Sequence, residues 1–539
     1  RSTPKPSSAA SDVYKRQLGE LVNVKITSFN HSNLFGFHKI DRQARLELAT
    51  RLLQTNQRLE AETLLIELVE NSTGPIAGTA AAQLARLYHS LGSFDSAQEM
   101  YRLLKEKWSE VPVWSGKTGR ELWEETATEY QALGTRLSLQ DWQRGRVKAT
   151  GTVQRDARQF PVGLQNHPVT SFVTQGPGLR NVHLTLQTQQ ALLGKDRLGR
   201  QRFRIPLSGG QTRGNRRTLG YLTEAHSYGH LLLTSHGLRL LAIDTLPGPA
   251  APTDRILWSQ SLVPMATQHT AIKQVQQKVA ANIWGQKTRK TTARTESSEI
   301  EIGQIGPLQP FGVCFQRGQT IVCMDPLHAD SNPLWTRTNV PEGAELFGDQ
   351  ELLFVVPPDA AEAIVLQQTD GSSVGPRRVP AAESRWTTIG RQMLAWTESA
   401  DRLTLTLHDP WYEEDVWSFQ FPKGSKGCLV DSRQVAILSP DGRFVMINMI
   451  DGQIIIDESL VPEQDLESIH VLSFNEQYIL ATTSKATDQR GKPIRVAPAP
   501  NPSYVPLIRG RVYAFHPVSY THLRAHETDS YLVCRLLLE

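Results

Sequence analysis

Cysteine is scarce in this chain, with four residues in 539, too few for a disulfide-built scaffold. Long apolar runs are missing too. No uncharged stretch approaches the ~18 residues needed to span a bilayer, so no transmembrane segment is expected here. Residues 1–17 carry basic side chains but lack the apolar core of ~7–15 residues that a secretory signal needs. Charge of one sign is not in excess. The 58 basic and 54 acidic residues leave a formal +4, weak grounds for a nucleic-acid or membrane-surface partner. Motifs that carry chemistry are also lacking: no Gly-x-x-x-x-Gly-Lys-Ser/Thr loop, no His-Glu-x-x-His, no Gly-x-Ser-x-Gly elbow. The length allows two or three domains, since single cores stop growing near ~250–300 residues.

What is present is repetition. Residues 229–244 read Gly-His-Leu-Leu-Leu-Thr-Ser-His-Gly-Leu-Arg-Leu-Leu-Ala-Ile-Asp, with Trp258 beyond. Residues 312–325 read Gly-Val-Cys-Phe-Gln-Arg-Gly-Gln-Thr-Ile-Val-Cys-Met-Asp, with Trp335 beyond. A β-hairpin recurring every few tens of residues is the mark of a propeller. The hairpin-ending aspartates Asp196, Asp244, Asp325, Asp370, Asp409 and Asp451 are spaced 48, 81, 45, 39 and 42. Spacings near 40–50 suit one four-stranded blade each. The gap of 81 is read as one blade carrying an insertion at 262–304. A last copy occurs at 508–515, so seven markers predict an incomplete propeller of seven or eight blades. Each Asp is expected to accept backbone N–H groups as an Asx turn. Trp258, Trp335 and Trp417 are expected to pack on a neighbouring blade while the indole N–H reaches a carbonyl.

Residues 41–107 are helical by period. Leu48, Ala49, Leu52, Ala61 and Leu65 recur 36 residues later as Leu84, Ala85, Tyr88, Ala97 and Tyr101. Asn56 and Gly92 fall at the expected turn between paired helices, where a positive φ is tolerated. A further helix from Arg120 to Leu133, ending at Gly134, would cap the pair. The fold class is therefore α+β multidomain, a short helical repeat module followed by an all-β propeller. The expected divisions are 1–17 as a non-native tail, 18–40 as the end of a preceding region, and 41–140 as the helical module. Residues 142–517 form the propeller and 518–539 a second non-native tail.

These phrases carry family resemblances. The helical spacing resembles the tetratricopeptide repeat. The phrase apolar strand, Ala-x-Asp, x-x-Gly, Trp resembles the quinoprotein-like family of propeller repeats, with Leu241-Ala242-Ile243-Asp244 and Val512-Tyr513-Ala514-Phe515 as good matches. Together with Gly-Lys-Thr-Gly-Arg at 116–120, the combination resembles large bacterial proteins, notably of planctomycetes. Residues 7–17 and 519–539 resemble translated sequencing-adapter read-through, so His522, His526 and Cys534 receive no functional weight. The quinoprotein resemblance implies a possible pyrroloquinoline quinone and Ca²⁺ site. Family members that bind this cofactor often use a disulfide between adjacent cysteines, and this chain has no adjacent pair. The repeat aspartates belong to hairpin turns rather than to the channel. No cofactor and no metal are expected.

Other candidates are read as structural. If 317–320 closes a two-residue hairpin, Cys314 faces Cys323 at a non-hydrogen-bonded site, within disulfide range at ~4.5 Å between Cα atoms. The alternative is two thiols packing as small apolar groups. His226, His230 and His236 lack a nearby carboxylate or thiol to complete a metal shell and are expected at a surface or turn. Arg197, Arg200, Arg202, Arg204, Arg213, Arg216 and Arg217 have no interleaved aromatic platform for nucleic acid. They read as a solvated edge. The expectation is a non-enzymatic scaffold that binds a protein or peptide, and the family resemblance implies an exported or cell-envelope setting. The rivals are a quinone-dependent oxidoreductase and a carbohydrate-binding propeller stacking sugars on Trp411 and Tyr412.

Overall fold

The computed structural model describes residues 42–127 and most of 166–524, the larger stretches left out being 208–223, 264–303, 486–494 and 497–504. The first segment forms four helices: α1 (Arg42–Gln54), α2 (Arg58–Asn71), α3 (Gly74–Ser90) and α4 (Phe94–Lys107). Ala49, Ala61, Ala85 and Ala97, four of the repeat positions, are fully buried, as are Ala80, Ala81 and Ala82. Small side chains there let the helix axes approach closely. Asn56 and Gly92 take φ of 65° and 72° in the two inter-helix turns, as the spacing predicted. A short hairpin, β1 (Pro112–Trp114) with β2 (Lys117–Thr118), leads into a fifth helix, described over 119–127. The expected helix end at Gly134 lies outside the described residues.

Seven sheets of four or five strands follow among the described residues. Blade 1 is built from Asn166–Pro168, Val182–Gln187, Ala191–Asp196 and Gln201–Pro206; blade 2 from Glu224–Tyr228, Leu231–His236, Arg239–Asp244 and Ile256–Ser261. Blades 3 to 6 begin at Ile305, Glu345, Arg385 and Lys426, and each is a four-stranded antiparallel meander. Blade 7 comprises Leu466–Phe474, Gln477–Lys485, Val512–Phe515 and Leu523–Arg524. In blade 2 an extra strand, Ser171–Gln175, runs parallel to Glu224–Tyr228 on its inner side. First strands of successive sheets lie against one another, as Ile305–Gln309 does with both Glu224–Tyr228 and Glu345–Gly348. The first strand is therefore innermost and the fourth is the rim.

The interior follows from strand composition. Leu352–Val356 is buried at every position, which a strand covered on both faces requires. Such a sheet cannot bury both faces alone, and each blade shares its core with the next. Leu192, Phe203 and Ile205 of blade 1 cluster with Leu232, Leu241 and Ile243 of blade 2. Leu403, Leu405 and Leu407 of blade 5 cluster with Val435, Ile437 and Val445 of blade 6. Each such seam removes apolar surface from water, worth about 25 cal/mol per Å² buried.

The tryptophans close these seams. Trp258 Nε1 donates to the Pro326 carbonyl of blade 3 at 2.9 Å, and Trp335 Nε1 to Gln368 of blade 4 at 2.8 Å. Trp417 Nε1 reaches Met449 of blade 6 at 2.9 Å. In each case the rim strand of one blade bonds the turn between third and fourth strands of the next. The aspartates shape those turns. Asp244, Asp325, Asp370, Asp409 and Asp451 each accept the N–H two residues on, at 2.8–3.0 Å. Asp196 instead accepts from Arg200 N at 2.9 Å.

Blade 2 has its rim strand at 256–261 and blade 3 starts at 305, so the 262–304 stretch follows a four-stranded blade. Residues 523–524 pair with 513–514 as the rim of blade 7. Cys314 and Cys323 are paired in register, with Arg317 opposite Thr320 as expected, and both are buried free thiols, the second of the two alternatives. Cys314 Sγ donates to Gln368 Oε1 at 3.2 Å, and burial pushes this thiol well above its ordinary range.

Gly371 tests the seam. Its φ is +70°, and a Cβ there would sit 2.6 Å from the Trp335 ring. Gly371→Ala is expected to cost about 2 kcal/mol or more, read as a lowered urea midpoint. Exposed Gly248, where an added Cβ meets nothing closer than 4.0 Å, should tolerate the same change within about 0.5 kcal/mol.

Candidate binding surface

A four-stranded meander places its first-to-second and third-to-fourth turns on one face of the disc. The helical module sits on that face over blades 1 to 3, and its α2 end reaches blade 6, where the Arg433 charge acts on Glu70. Its core is continuous with theirs: Leu64, Leu65, Ala77 and Leu84 belong to one apolar cluster with Tyr228, Leu231, Trp258 and Phe315. Gly229, in the first turn of blade 2, permits the close approach. A Cβ at this position would lie 2.6 Å from Ile66 Cδ1 and 2.8 Å from the Glu62 carboxyl.

Glu62 is the polar centre of this contact and is fully buried. Its Oε1 accepts the Tyr88 hydroxyl at 2.6 Å and faces His230 Nδ1 at 2.7 Å; its Oε2 accepts the His230 backbone N–H at 3.1 Å. Burial, reinforced by the Glu62 charge, holds the Tyr88 phenol well above its ordinary value, so it serves as a donor. The Tyr88 and His230 rings meet at 5.5 Å. Thr245 Oγ1 bonds the His230 carbonyl at 2.6 Å, tying in the Asp244 turn. A buried carboxylate needs several donors to offset its lost hydration, and three converge here.

Around this centre the charges are complementary. Glu99 of α4 pairs with Arg180, and Asp95 pairs with Arg202. Arg202 also reaches Asp196 at 3.2 Å, and Arg200 reaches the same carboxylate at 2.7 Å. The arginines read as a solvated edge are thus partly engaged in docking. Arg202 and Arg204 do share the exposed face of their strand, while Arg197, Arg213, Arg216 and Arg217 lie outside the described residues. His230 corrects the surface reading: it occupies a turn, but a buried one. Spacing along the sequence missed Glu62 altogether. The available signal was that α2 is buried over Leu59 and Ala61–Leu68, on more than one side, so a Glu within that span has to find donors.

Among the described residues, side chains on the same face stay exposed in blades 4 and 5 and at the third turn of blade 6. Arg391 reaches Asp409 at 3.3 Å and Asp349 at 3.8 Å, and its guanidinium lies 5.1 Å from the Tyr412 ring centre. Arg377 covers Trp411 at 4.6 Å, and Glu413 accepts the Arg378 N–H at 3.2 Å. Tyr412 is 62% exposed and Ile450 50%. Each of the two rings expected to stack on sugars thus has a guanidinium over it. Among the described residues no group of three or more His, Cys, Asp or Glu is arranged to hold a metal ion, and no helix is long and apolar enough to cross a membrane.

The architecture is that of a β-propeller preceded by helices. No family model matches the chain, and no curated protein matches it. Solved structures with a related outline include BamB from Moraxella catarrhalis, 13% identical, TM-score 0.31, covering 59% of this chain and 82% of that one. Kluyveromyces lactis Hsv2 is 8% identical, TM-score 0.33, with 60% and 95% covered. The C-terminal WD40 domain of Sif2 is 9% identical, TM-score 0.32, with 56% and 75% covered. Scores this low carry no functional argument.

Removing the Glu62 carboxylate is expected to cost about 3 kcal/mol, the usual range for breaking a buried pair. Tyr88→Phe is expected to cost about 1 kcal/mol. In the Glu62→Ala background, Tyr88→Phe should cost much less, a coupling that a double-mutant cycle on urea midpoints measures. A second expectation concerns pH. The hydrogen bond to Asp325 raises His328 above the ordinary 6.5, against the opposing effect of burial. The folded state therefore holds the proton more tightly. This contribution is full below 6.5 and disappears as pH rises through the raised value. Urea midpoints should fall as pH rises above about 6.5, and His328→Gln should flatten that fall.

Proposed function

We propose that this chain is a non-enzymatic scaffold whose task is to hold a partner protein or peptide. The observation that supports the reading best is the way the helical module is fixed. Buried Glu62, an apolar cluster and two peripheral ion pairs seat it on one face of the propeller, while among the described residues Tyr412 and Ile450, in turns of blades 5 and 6 on that face, stay exposed. A rigid disc with part of one face covered and part exposed offers a shaped surface without requiring any moving part. The helices resemble tetratricopeptide hairpins and the blades quinoprotein-like repeats, and by that resemblance the setting is the bacterial envelope or an exported compartment.

The rival from another class is a pyrroloquinoline-quinone oxidoreductase, and a direct experiment separates the two. Calorimetric titration of the chain with the quinone and Ca²⁺, followed by a dye-linked alcohol oxidation assay, should give no saturable heat and no turnover. Saturable binding with turnover would replace the scaffold reading by the oxidoreductase.

A further inference from the structure

Rim strands of a propeller present unpaired backbone groups, and proteins usually blunt such edges with brevity, Pro, Lys or Arg, or inward charge. Most rims here follow that rule. The rim strands of blades 3 and 7, Trp335–Arg337 and Leu523–Arg524, are three and two residues long. In blade 4, Ser373–Arg378 contains Gly375, Pro376, Arg377 and Arg378. Blade 1 carries Arg202 and Arg204, blade 6 carries Asp457 and Glu458, and the six-residue rim of blade 2 is broken by a bulge opposite Ala242 and Ile243.

Blade 5 meets the rule only at its leading end, where Glu414, Asp415 and a bulge lie; the run Trp417–Phe421 carries no charge and no proline. Its rim, Glu414–Pro422, is nine residues long and reads Glu-Asp-Val-Trp-Ser-Phe-Gln-Phe-Pro. It has no Lys or Arg, and its only proline is the last residue. After a bulge at Leu407/His408 it stays in register from Trp417 opposite Leu407 to Pro422 opposite Arg402. No further strand pairs with its outer edge among the described residues. One side of the strand is anchored, since Trp417, Phe419 and Phe421 pack into the cluster shared with blade 6. The other side presents Val416, Ser418 and Gln420 to solvent. The leading end is acidic and exposed, formed by Glu413, Glu414 and Asp415 beside Tyr412.

We infer that the rim of blade 5 is a strand-addition site, occupied by an extended segment of a partner protein that carries Lys or Arg where it meets Glu413, Glu414 and Asp415. The open ladder supplies backbone hydrogen bonds without regard to sequence, and alternate side chains supply selection. The acidic end sets polarity and register, because a basic residue placed there is attracted and an acidic one repelled. His408 Nδ1 lies 2.9 Å from Asp415, and the cations nearest that end are Arg391 in the turn beside Tyr412 and Arg377 over Trp411 in blade 4. Arg378 already binds Glu413 through its backbone. Asp415 and Glu414 are therefore the carboxylates that must do most of the selecting. The site rests on the scaffold reading and specifies where the partner sits.

The test uses the full chain and a labelled octapeptide, Lys-Lys-Thr-Val-Thr-Val-Thr-Val, against its Glu-Glu counterpart. The basic peptide should bind at least ~10-fold more tightly at low salt and lose that advantage as salt rises. Hydrogen exchange of 414–421 should slow on binding. Val416→Lys and Ser418→Lys change exposed side chains only and should weaken binding ~10-fold or more with an unchanged urea midpoint. Glu414→Lys with Asp415→Lys should reverse the peptide preference. Absence of binding, unchanged exchange at 414–421, or affinity indifferent to the edge lysines would overturn the site. Concentration-dependent dimerisation that the same lysines abolish would also overturn it, naming a second copy as the occupant. Protection elsewhere on the chain would sink this site and leave the scaffold reading standing, whereas that reading fails separately on quinone turnover.

Discussion

A strand that is apolar on both faces must be covered on both, and a four-stranded sheet cannot cover itself. Everything else in this protein depends on how that constraint is met. Blades 2 to 6 each share apolar clusters with both neighbours, so none of these is a folding unit with a complete core of its own. The tryptophan on a rim strand then fixes how one blade meets the next. Its ring lies on the turn of the following blade and its N–H ends at a carbonyl there, as for Trp335 with Gln368. That turn has to present a carbonyl at a fixed place, which the Asp side chain ensures by holding the backbone two residues on. Asp, Gly and Trp are thus one device spread over two blades.

The helices meet the same constraint from outside. Blades 2 and 3 have apolar turns on one face, and α2 has more buried surface than a helix pair alone would cover. Their union hides both. It also traps polar groups, and Glu62 is where the fold resolves that conflict, with donors from α3 and from two atoms of His230. A carboxylate that satisfies donors on both modules makes one relative placement much better than its neighbours. Hydrophobic contact alone is tolerant of sliding; a buried three-donor carboxylate is not.

Much of this was legible in the chain because periodicity is local. The hairpin phrase located the blades, and all six Asp positions bind backbone N–H groups at the ends of third strands or just beyond. The helical spacing anticipated buried Ala49 and Ala85 and the positive φ of Asn56 and Gly92. What could not be read was contact between elements distant in sequence. Glu62 and His230 are 168 positions apart, and neither has a local partner that marks it. A histidine two residues after Tyr228 looked like an ordinary turn residue, and a glutamate on a helix looked solvated. Spacing between markers likewise reports how many residues intervene, not that 262–304 follows the rim strand of blade 2. The oxidation state of Cys314 and Cys323 was left open by register alone. Opposed positions permit a bond, while the Gln368 side chain offers Cys314 a competing partner from the next blade.

The central claim is that helices and blades form one cooperative unit joined through the Glu62 contact. Hydrogen exchange followed against urea tests it most directly, because units that open separately show separate free energies. The account predicts that amides of α2 and α3 and those of Leu231–His236 in blade 2 open with the same free energy and the same denaturant dependence. Helices that exchange as a distinct, weaker unit while blade 2 stays protected would contradict it.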